Sequence, residues 1–293
     1  MRESNRIYPS YLGRLFVLPT FLVLCLFVIY PLIYTLVLSI TSSSGSFIGA
    51  SNFSRLFSDP SIWGVFNNSF IFTAGSVILQ IGLGFIVGVI LNQPFTGRGV
   101  VRGITLIPWV IPASVAATTW AWMYHTDFGI INYMLKQIGL ITVNKGWLAD
   151  PKTVMPALIV VNTWKMVPFV AVMVLAGLQS IDTTLYEAAR VDGANFLHEI
   201  RYVTLPHLRA VLLSILLVLT IWGFNAITII FTMTKGGPAD KSLVAPLHIF
   251  RTAFQYFDFN LAAAESIVLF VVIGIIIFIY IKVFSPLKEE QVV

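Results

Sequence analysis

Residues 154–178 read VMPALIVVNTWKMVPFVAVMVLAGL, a long and mostly apolar run. Its single charged side chain is Lys165. It is longer than the roughly 20 apolar residues that a helix needs to cross a bilayer. Five further runs are long and apolar enough to cross, at residues 15–40, 69–91, 101–124, 208–233 and 261–284. The pattern predicts an all-α integral membrane protein with about six transmembrane helices.

The composition excludes an ordinary soluble domain. Of 293 residues, 57% are hydrophobic and 11% are charged, whereas a soluble domain carries about 25% charge. The one cysteine, Cys25, lies inside an apolar run, so the chain predicts neither an internal disulfide nor a Cys-x-x-Cys metal site. The first run is longer than the roughly 7–15 residues of a signal-peptide core, which favours a retained anchor.

The distribution of basic residues predicts the orientation. If the N-terminus is cytoplasmic, ten of the 18 Lys and Arg residues lie on the inner side and seven on the outer side. Arg14, Arg98, Arg102 and Arg209 adjoin the ends of runs, where the positive-inside rule is strongest. We therefore expect both termini in the cytoplasm. The net charge of +5 is accounted for by such loops and does not indicate nucleic-acid binding.

Residues 243–261 form an ambiguous seventh stretch. It holds His248, Arg251 and Asp258 among several aromatic residues. Charged side chains are costly in hydrocarbon, so an interfacial or partly buried helix is favoured over a span.

The longest polar segment on the predicted inner side, residues 181–206, reads IDTTLYEAARVDGANFLHEIRYVTLP. Thr183 or Thr184 can cap a helix, and Glu187 lies three residues after Thr184, as in a capping box. Gly193 can end that helix, and Pro206 suits the first turn of the next span. The segment predicts two short helices joined by a sharp turn. From the residues alone, it is equally compatible with a generic amphipathic connector.

This segment resembles the EAA signature of permeases in binding-protein-dependent ABC importers. Glu187-Ala188-Ala189, Gly193 and Leu205-Pro206 have the family's spacing, with Val203 where the family usually has Ile. Flanking stretches resemble the carbohydrate, maltose-permease-like subgroup; they are AGLQSI at 176–181, TMTKGGP at 232–238, IFRTAF at 249–254, AAA at 262–264 and LIPW at 106–109.

The resemblance implies a type I ABC importer permease fold with three parts. Residues 1–66 would hold the N-terminal cytoplasmic tail, the first transmembrane helix and an external loop. Residues 67–286 would be the permease core, with the EAA loop at 181–206, and residues 287–293 a cytoplasmic tail. The chain would lie in a bacterial or archaeal plasma (inner) membrane, in contact with lipid.

The resemblance also implies a function and a set of partners. The chain would form part of the pore of an ATP-driven importer that moves a small polar solute, expected to be a sugar or oligosaccharide, by alternating access. It would pair with a second, unlike permease, because its Gly-Gly-Pro turn is typical of one of two dissimilar subunits. Two cytosolic ATPases and an extracytoplasmic solute-binding protein would complete the complex. The chain has no Gly-x4-Gly-Lys-Ser/Thr phosphate loop, so ATP and Mg would bind the ATPase, and we expect no cofactor and no enzymatic activity in this chain.

In the family, the EAA helix docks on the ATPase. The matching residues here are Leu185, Tyr186, Glu187, Ala188, Ala189, Arg190, Asp192, Gly193, Phe196, Leu205 and Pro206. Small alanines allow close approach, aromatic and leucine side chains supply apolar anchors, and Glu187 and Arg190 supply charge. A purely local role, with Glu187 capping its own helix, is the alternative.

Polar residues inside the runs predict the solute path. Lys165 is too costly to expose to lipid, about 2.5–3.5 kcal/mol on insertion scales, and Phe169 lies one helical turn after it. Trp222 and Asn225 are three residues apart. By position, these two stretches resemble those that line the sugar site of the maltose permease, and Met166 belongs to the same set. Packing roles for the aromatic residues and outward snorkelling of Lys165 are the alternatives.

Other solutes and other protein classes are possible from sequence. A polyol, osmolyte or glycerol-phosphate compound would suit the same type of importer. A secondary transporter would show internal repeats and would lack the EAA signature. A membrane enzyme would need a catalytic constellation, but the four histidines are scattered without ligand spacing, and no nucleophile motif is present.

Overall fold

The computed structural model describes the backbone of residues 10–284 and the side chains of residues 15–282. In this part of the chain, all regular elements are helical. Five helices are long and apolar enough to span a membrane, and a bent helix pair brings the number to six. This confirms the all-α prediction of about six spans. The predicted C-terminal tail lies outside the described residues, and so do Arg2, Arg6 and Lys288, three of the ten basic residues counted on the inner side.

The helices follow in chain order with two short π-helical segments. The first span comprises α1, a π-helical segment at Cys25–Ile29 and α2; the fifth comprises α10, a π-helical segment at Glu199–Thr204 and α11. The elements are α1 (Ser10–Leu24), α2 (Tyr30–Ser39), α3 (Ser51–Ser58), α4 (Pro60–Asn92), α5 (Arg98–Val110), α6 (Ala113–Met123), α7 (Ile130–Gln137), α8 (Val154–Leu178), α9 (Thr183–Val191), α10 (Phe196–His198), α11 (Leu205–Phe224), α12 (Thr228–Met233), α13 (Ala245–Phe254) and α14 (Phe259–Phe284).

The third predicted span, 101–124, is broken rather than continuous. Helices α5 and α6 meet at an angle of 91°. The cause is local: Pro112 has no N–H to continue a helix, and it drives the preceding residue into an extended conformation. Ile111 accordingly has φ −60° and ψ 132°. The break lies inside the third apolar run.

The fifth predicted span, 208–233, is displaced toward the N-terminus in the structure. The observed helical stretch covers Phe196–Phe224, so it starts earlier and stops before residue 233. Asn225 ends it: its side-chain amide donates to the carbonyl of Ile221 at 2.8 Å, which competes with continued helix. The short helix α12 follows after a gap.

The ambiguous segment 243–261 contains helix α13, which has ten residues. At about 1.5 Å per residue it is roughly 15 Å long, half the ~30 Å hydrocarbon thickness. It is therefore not a span, as predicted. Its position relative to the membrane surface stays a prediction.

By internal contacts, the described chain divides into two units. In the first, residues 10–59 and 249–271, the amides of Asn52 and Asn260 both donate to the carbonyl of Thr41, at 3.0 and 2.8 Å. Arg55 and Asp258 form an ion pair at 2.6 Å. These contacts gather the end of α2, helix α3 and the start of α14.

The second unit, residues 60–248 and 272–284, is organised by close packing of α4 against α8. Within lipid no hydrophobic force drives helices together, so association depends on van der Waals contact, which small residues permit. A Cβ on Gly84 would lie 2.4 Å from Val170 Cβ, and a Cβ on Gly88 would lie 2.7 Å from Val174 Cγ1. Both positions therefore require glycine.

Helix α11 completes the core of this unit. A cluster of buried side chains joins Val77 of α4, Val170 and Val174 of α8, and Leu208 and Ile215 of α11. The same cluster includes Ile181 and Val203, which lie at the two ends of the EAA loop. The loop is thus packed onto the three-helix core.

Substituting one glycine at a time tests this packing. Gly84→Ala should lower the thermal unfolding midpoint of the purified protein, because overpacking costs about 1–3 kcal/mol. Gly82→Ala is the matched control: a Cβ there meets nothing within 4 Å. That change should leave the midpoint unchanged or raise it, since alanine is the better helix former. Equal midpoints for the two variants would contradict the interface.

Candidate functional site

The EAA loop begins at an aspartate cap. The carboxylate of Asp182 accepts a hydrogen bond from the backbone N–H of Thr184 at 2.9 Å. The expectation that Thr183 or Thr184 caps α9 is therefore wrong. Hydrogen bonds from the backbone and then the hydroxyl of Thr184 lower the pKa of Asp182. The stability that this cap contributes is present at neutral pH and is lost as the pH falls through the lowered pKa.

Gly193 ends α9, as predicted. It has φ +84°, in the left-handed region. The N–H of Gly193 donates to the carbonyl of Arg190 and the N–H of Ala194 to that of Ala189. This pair of bonds is a Schellman motif, in which a glycine satisfies the last carbonyls of a helix. It turns the chain sharply toward the second arm of the loop.

The second arm leads directly into α11. The side chain of Asn195 caps α10 by accepting from the N–H of His198 at 3.0 Å. Pro206 lies in the first turn of α11, as predicted. Two contacts join the arms: Arg190 Nε donates to Glu199 Oε1 at 2.6 Å, and the hydroxyls of Tyr186 and Thr204 are 3.0 Å apart.

The predicted coupling residues divide into two groups. Tyr186 and Ala189 are half-buried and pack on the three-helix core. The others are exposed, namely Leu185, Glu187, Ala188, Arg190, Asp192, Gly193, Phe196, Leu205 and Pro206. The hydrogen bond and charge of Glu199 raise the pKa of Arg190 and keep it protonated.

A surface cleft of about 690 Å³ lies between the loop and the end of α4. Tyr186, Glu187, Arg190 and Phe196 line one side and Asn92 the other. The cleft offers aromatic area with both signs of charge.

A second cavity, here called the central cavity, has a volume of about 230 Å³ and lies among α4, α6, α8, α11 and α12. It contains four of the five predicted solute-path residues. Phe169 does not line it but contacts the ring of Trp222, with centroids 5.1 Å apart. The lining residues are Gln80, Ala113, Asn162, Lys165, Met166, Leu219, Trp222, Gly223, Asn225, Ala226, Ile227, Thr228 and Ile229.

Lys165 reaches the break between α5 and α6. Its ammonium donates to the carbonyl of Trp109 at 3.2 Å and to that of Ile111 at 2.5 Å. The ring of Trp109 contacts Phe169, with centroids 5.8 Å apart. Lys165 and Phe169 therefore share one face of α8, as predicted.

One amide in the cavity, that of Gln80, was missed by the sequence prediction. Gln80 is 2% exposed, and its side chain donates to the backbone carbonyl of Asn162 at 3.3 Å. Gln80 is the one glutamine in the second apolar run, so a search for isolated amides within runs finds it. Asn162 lies one turn before Met166.

Comparison with known proteins agrees with this architecture. Residues 80–289 match the model of a family described as binding-protein-dependent transport system inner membrane component. The chain is 35% identical to the trehalose/maltose transport system permease protein MalF of Thermococcus litoralis over 280 residues, covering 93% of each chain. It is 30% identical to the lactose transport system permease protein LacF of Rhizobium radiobacter over 285 residues, covering 95% of each.

A solved structure shares the fold. A chain of a bacterial alginate ABC transporter, solved in complex with a periplasmic protein carrying an alginate pentasaccharide, superposes with a TM-score of 0.84. The match covers 95% of each chain at 23% identity.

The central cavity should be reachable by water-soluble reagents. We expect Met166→Cys, Trp222→Cys and Asn225→Cys, made in a Cys25→Ser background, to react with a small charged thiol reagent in the membrane. Val160→Cys is the control because Val160 is exposed on the opposite side of α8 and does not line the cavity. Labelling is read by mass spectrometry. Reaction at Val160 with none at the three cavity positions would contradict the assignment.

Proposed function

The chain belongs to the family of binding-protein-dependent transport system inner membrane components, and we propose that it is the pore-forming permease of an importer for sugars or oligosaccharides. Members of this family are transport subunits and not catalytic ones. The chain is a multi-pass inner membrane protein.

One observation carries the proposed mechanism: a single packed core contacts both the EAA loop and the central cavity. Tyr186 and Ala189 of the loop pack against it, and so do Met166 and Phe169 beside the cavity. Leu219 is part of this core and also lines the cavity. A force applied to the loop would therefore reach the cavity wall through close-packed side chains, which have low compressibility.

The cavity chemistry supports a sugar. Aromatic faces such as that of Trp222 stack on the apolar faces of sugar rings, and amides donate to and accept from hydroxyls. Gln80, Asn162 and Asn225 supply such groups. Named relatives carry trehalose, maltose or lactose in their descriptions, which favours a glycoside over a polyol or phosphate ester.

The proposed complex has four further subunits. An unlike permease would complete the pore, two cytosolic ATPases would bind ATP and Mg²⁺, and a solute-binding protein would deliver the sugar from outside. The cleft beside Glu187 would receive a segment of one ATPase. Both termini and the EAA loop would then lie on the cytoplasmic side.

Purification and uptake test the proposal. A complex isolated through a tag on this chain should contain an unlike permease and an ATPase, identified by intact-mass spectrometry. In proteoliposomes with the solute-binding protein, it should import labelled maltose, trehalose or lactose in an ATP-dependent manner. A preparation with no ATPase, or uptake driven by an ion gradient without ATP, would contradict the proposal.

Two loop variants test coupling in the same preparation. Glu187→Lys reverses a charge in the cleft, and Gly193→Pro removes the N–H that closes the Schellman motif and imposes a negative φ. Each should abolish uptake, either by releasing the ATPase or by leaving ATP hydrolysis unlinked to transport. Asp127→Lys is the matched charge reversal at an exposed residue outside the loop and should transport normally. Normal uptake in both loop variants would exclude the coupling role.

A further inference from the structure

The break in the third span leaves main-chain acceptors inside an apolar run. The N–H of Ile111 still bonds to the carbonyl of Ile107 and closes the last turn of α5. Pro112 then supplies no N–H, and the 91° bend carries α6 away from the end of α5. Carbonyls at such a break must find protein donors, because hydrocarbon offers none.

Lys165 supplies those donors from another helix. Its Nζ lies 2.5 Å from the oxygen of Ile111 and 3.2 Å from that of Trp109. A cation is also favoured at the C-terminal end of a helix, where the dipole is negative. One turn along α8, Phe169 packs on the ring of Trp109. Helix α8 therefore contacts the break through two residues one turn apart: Lys165 by hydrogen bonds and Phe169 by aromatic packing.

The break forms part of the cavity wall. Ala113, the first residue of α6, lines the central cavity together with Lys165. The position of α6 relative to α8 thus affects the width of the cavity. Among the described lining residues there is no carboxylate, so the ammonium is matched by main-chain carbonyls and not by an acid.

We propose that Lys165 is a positioning residue: its ammonium clamps the broken third span and thereby sets the shape of the solute cavity. An ammonium has three N–H donors, and two are engaged by the break. The charge therefore serves the protein and does not require an anionic solute. The role in transport rests on the proposed function, whereas the clamp itself is independent of it.

Distance measurements across the break test the clamp without any solute. Spin labels at Val100→Cys on α5 and Trp122→Cys on α6, in a Cys25→Ser background, report the bend in the purified complex in nanodiscs; both native side chains are exposed. Lys165→Met keeps the length of the side chain and removes its donors. It should shift or broaden the distance distribution. Lys165→Arg, which keeps the charge and the donors, should restore it.

The controls distinguish loss of the clamp from a nonspecific effect of the substitution and from failure of the variant to assemble. Lys152→Met makes the same change at an exposed loop residue and should leave the distribution unaltered. If Lys165→Met does not yield a monodisperse complex, Lys165→Leu, which also has no donor, is judged by the same criterion. An unchanged distribution in the donor-removing variant, or no recovery with arginine, would overturn the clamp.

Uptake of the labelled sugars gives a second readout. Loss of uptake by Lys165→Met together with a changed distribution, both restored by arginine, supports positioning. Loss of uptake with an unchanged distribution would make Lys165 a direct solute ligand and overturn the proposal. No ATP-driven uptake by the unsubstituted complex would refute the proposed function and leave the distance result standing.

Discussion

In hydrocarbon, every backbone N–H and C=O must find its partner within the protein, and the breaks in this fold are arranged around that constraint. Three described irregularities near apolar runs have a polar side chain that bonds to the main chain there. Lys165 serves the break at Ile111, Asn225 serves the end of α11, and Arg102 donates to the carbonyl of Leu91 near the end of α4. These three polar side chains thus have a structural role: each bonds a main-chain carbonyl near an irregularity in the helices.

The same residues border the place where a solute would bind. Lys165 and Asn225 both line the central cavity while bonding to main-chain carbonyls. The start of α6 after the break and the end of α11 both border this cavity, through Ala113 and Asn225. The residues that make irregularity tolerable are therefore found at the cavity. Small residues have a different role on α4, where Gly84 and Gly88 allow the continuous helices α4 and α8 to pack in close contact.

The sequence predicted the fold class well because span length and apolarity are strong local signals. It also predicted the turn at Gly193 and the entry at Pro206, since both depend on the backbone preferences of single residues. It failed where tertiary context mattered. The third run was predicted as one continuous span, although Pro112 lies within it and can break a helix. The cap of α9 was predicted at Thr183 or Thr184, whereas Asp182 forms it. Hydropathy could not locate the end of α11 because the residues after Asn225 are also apolar.

The packed core should make the EAA loop and the cavity helices move as one body. The direct test is the distance between spin labels at Val191→Cys on α9 and Val160→Cys on α8, measured in the complex without nucleotide and with ATP trapped on the ATPase. Both native side chains are exposed, at 88% and 44%. The packed core predicts the same mean distance in the two states. A change in the mean distance larger than the width of the distance distribution would show that the loop moves independently of the cavity helices.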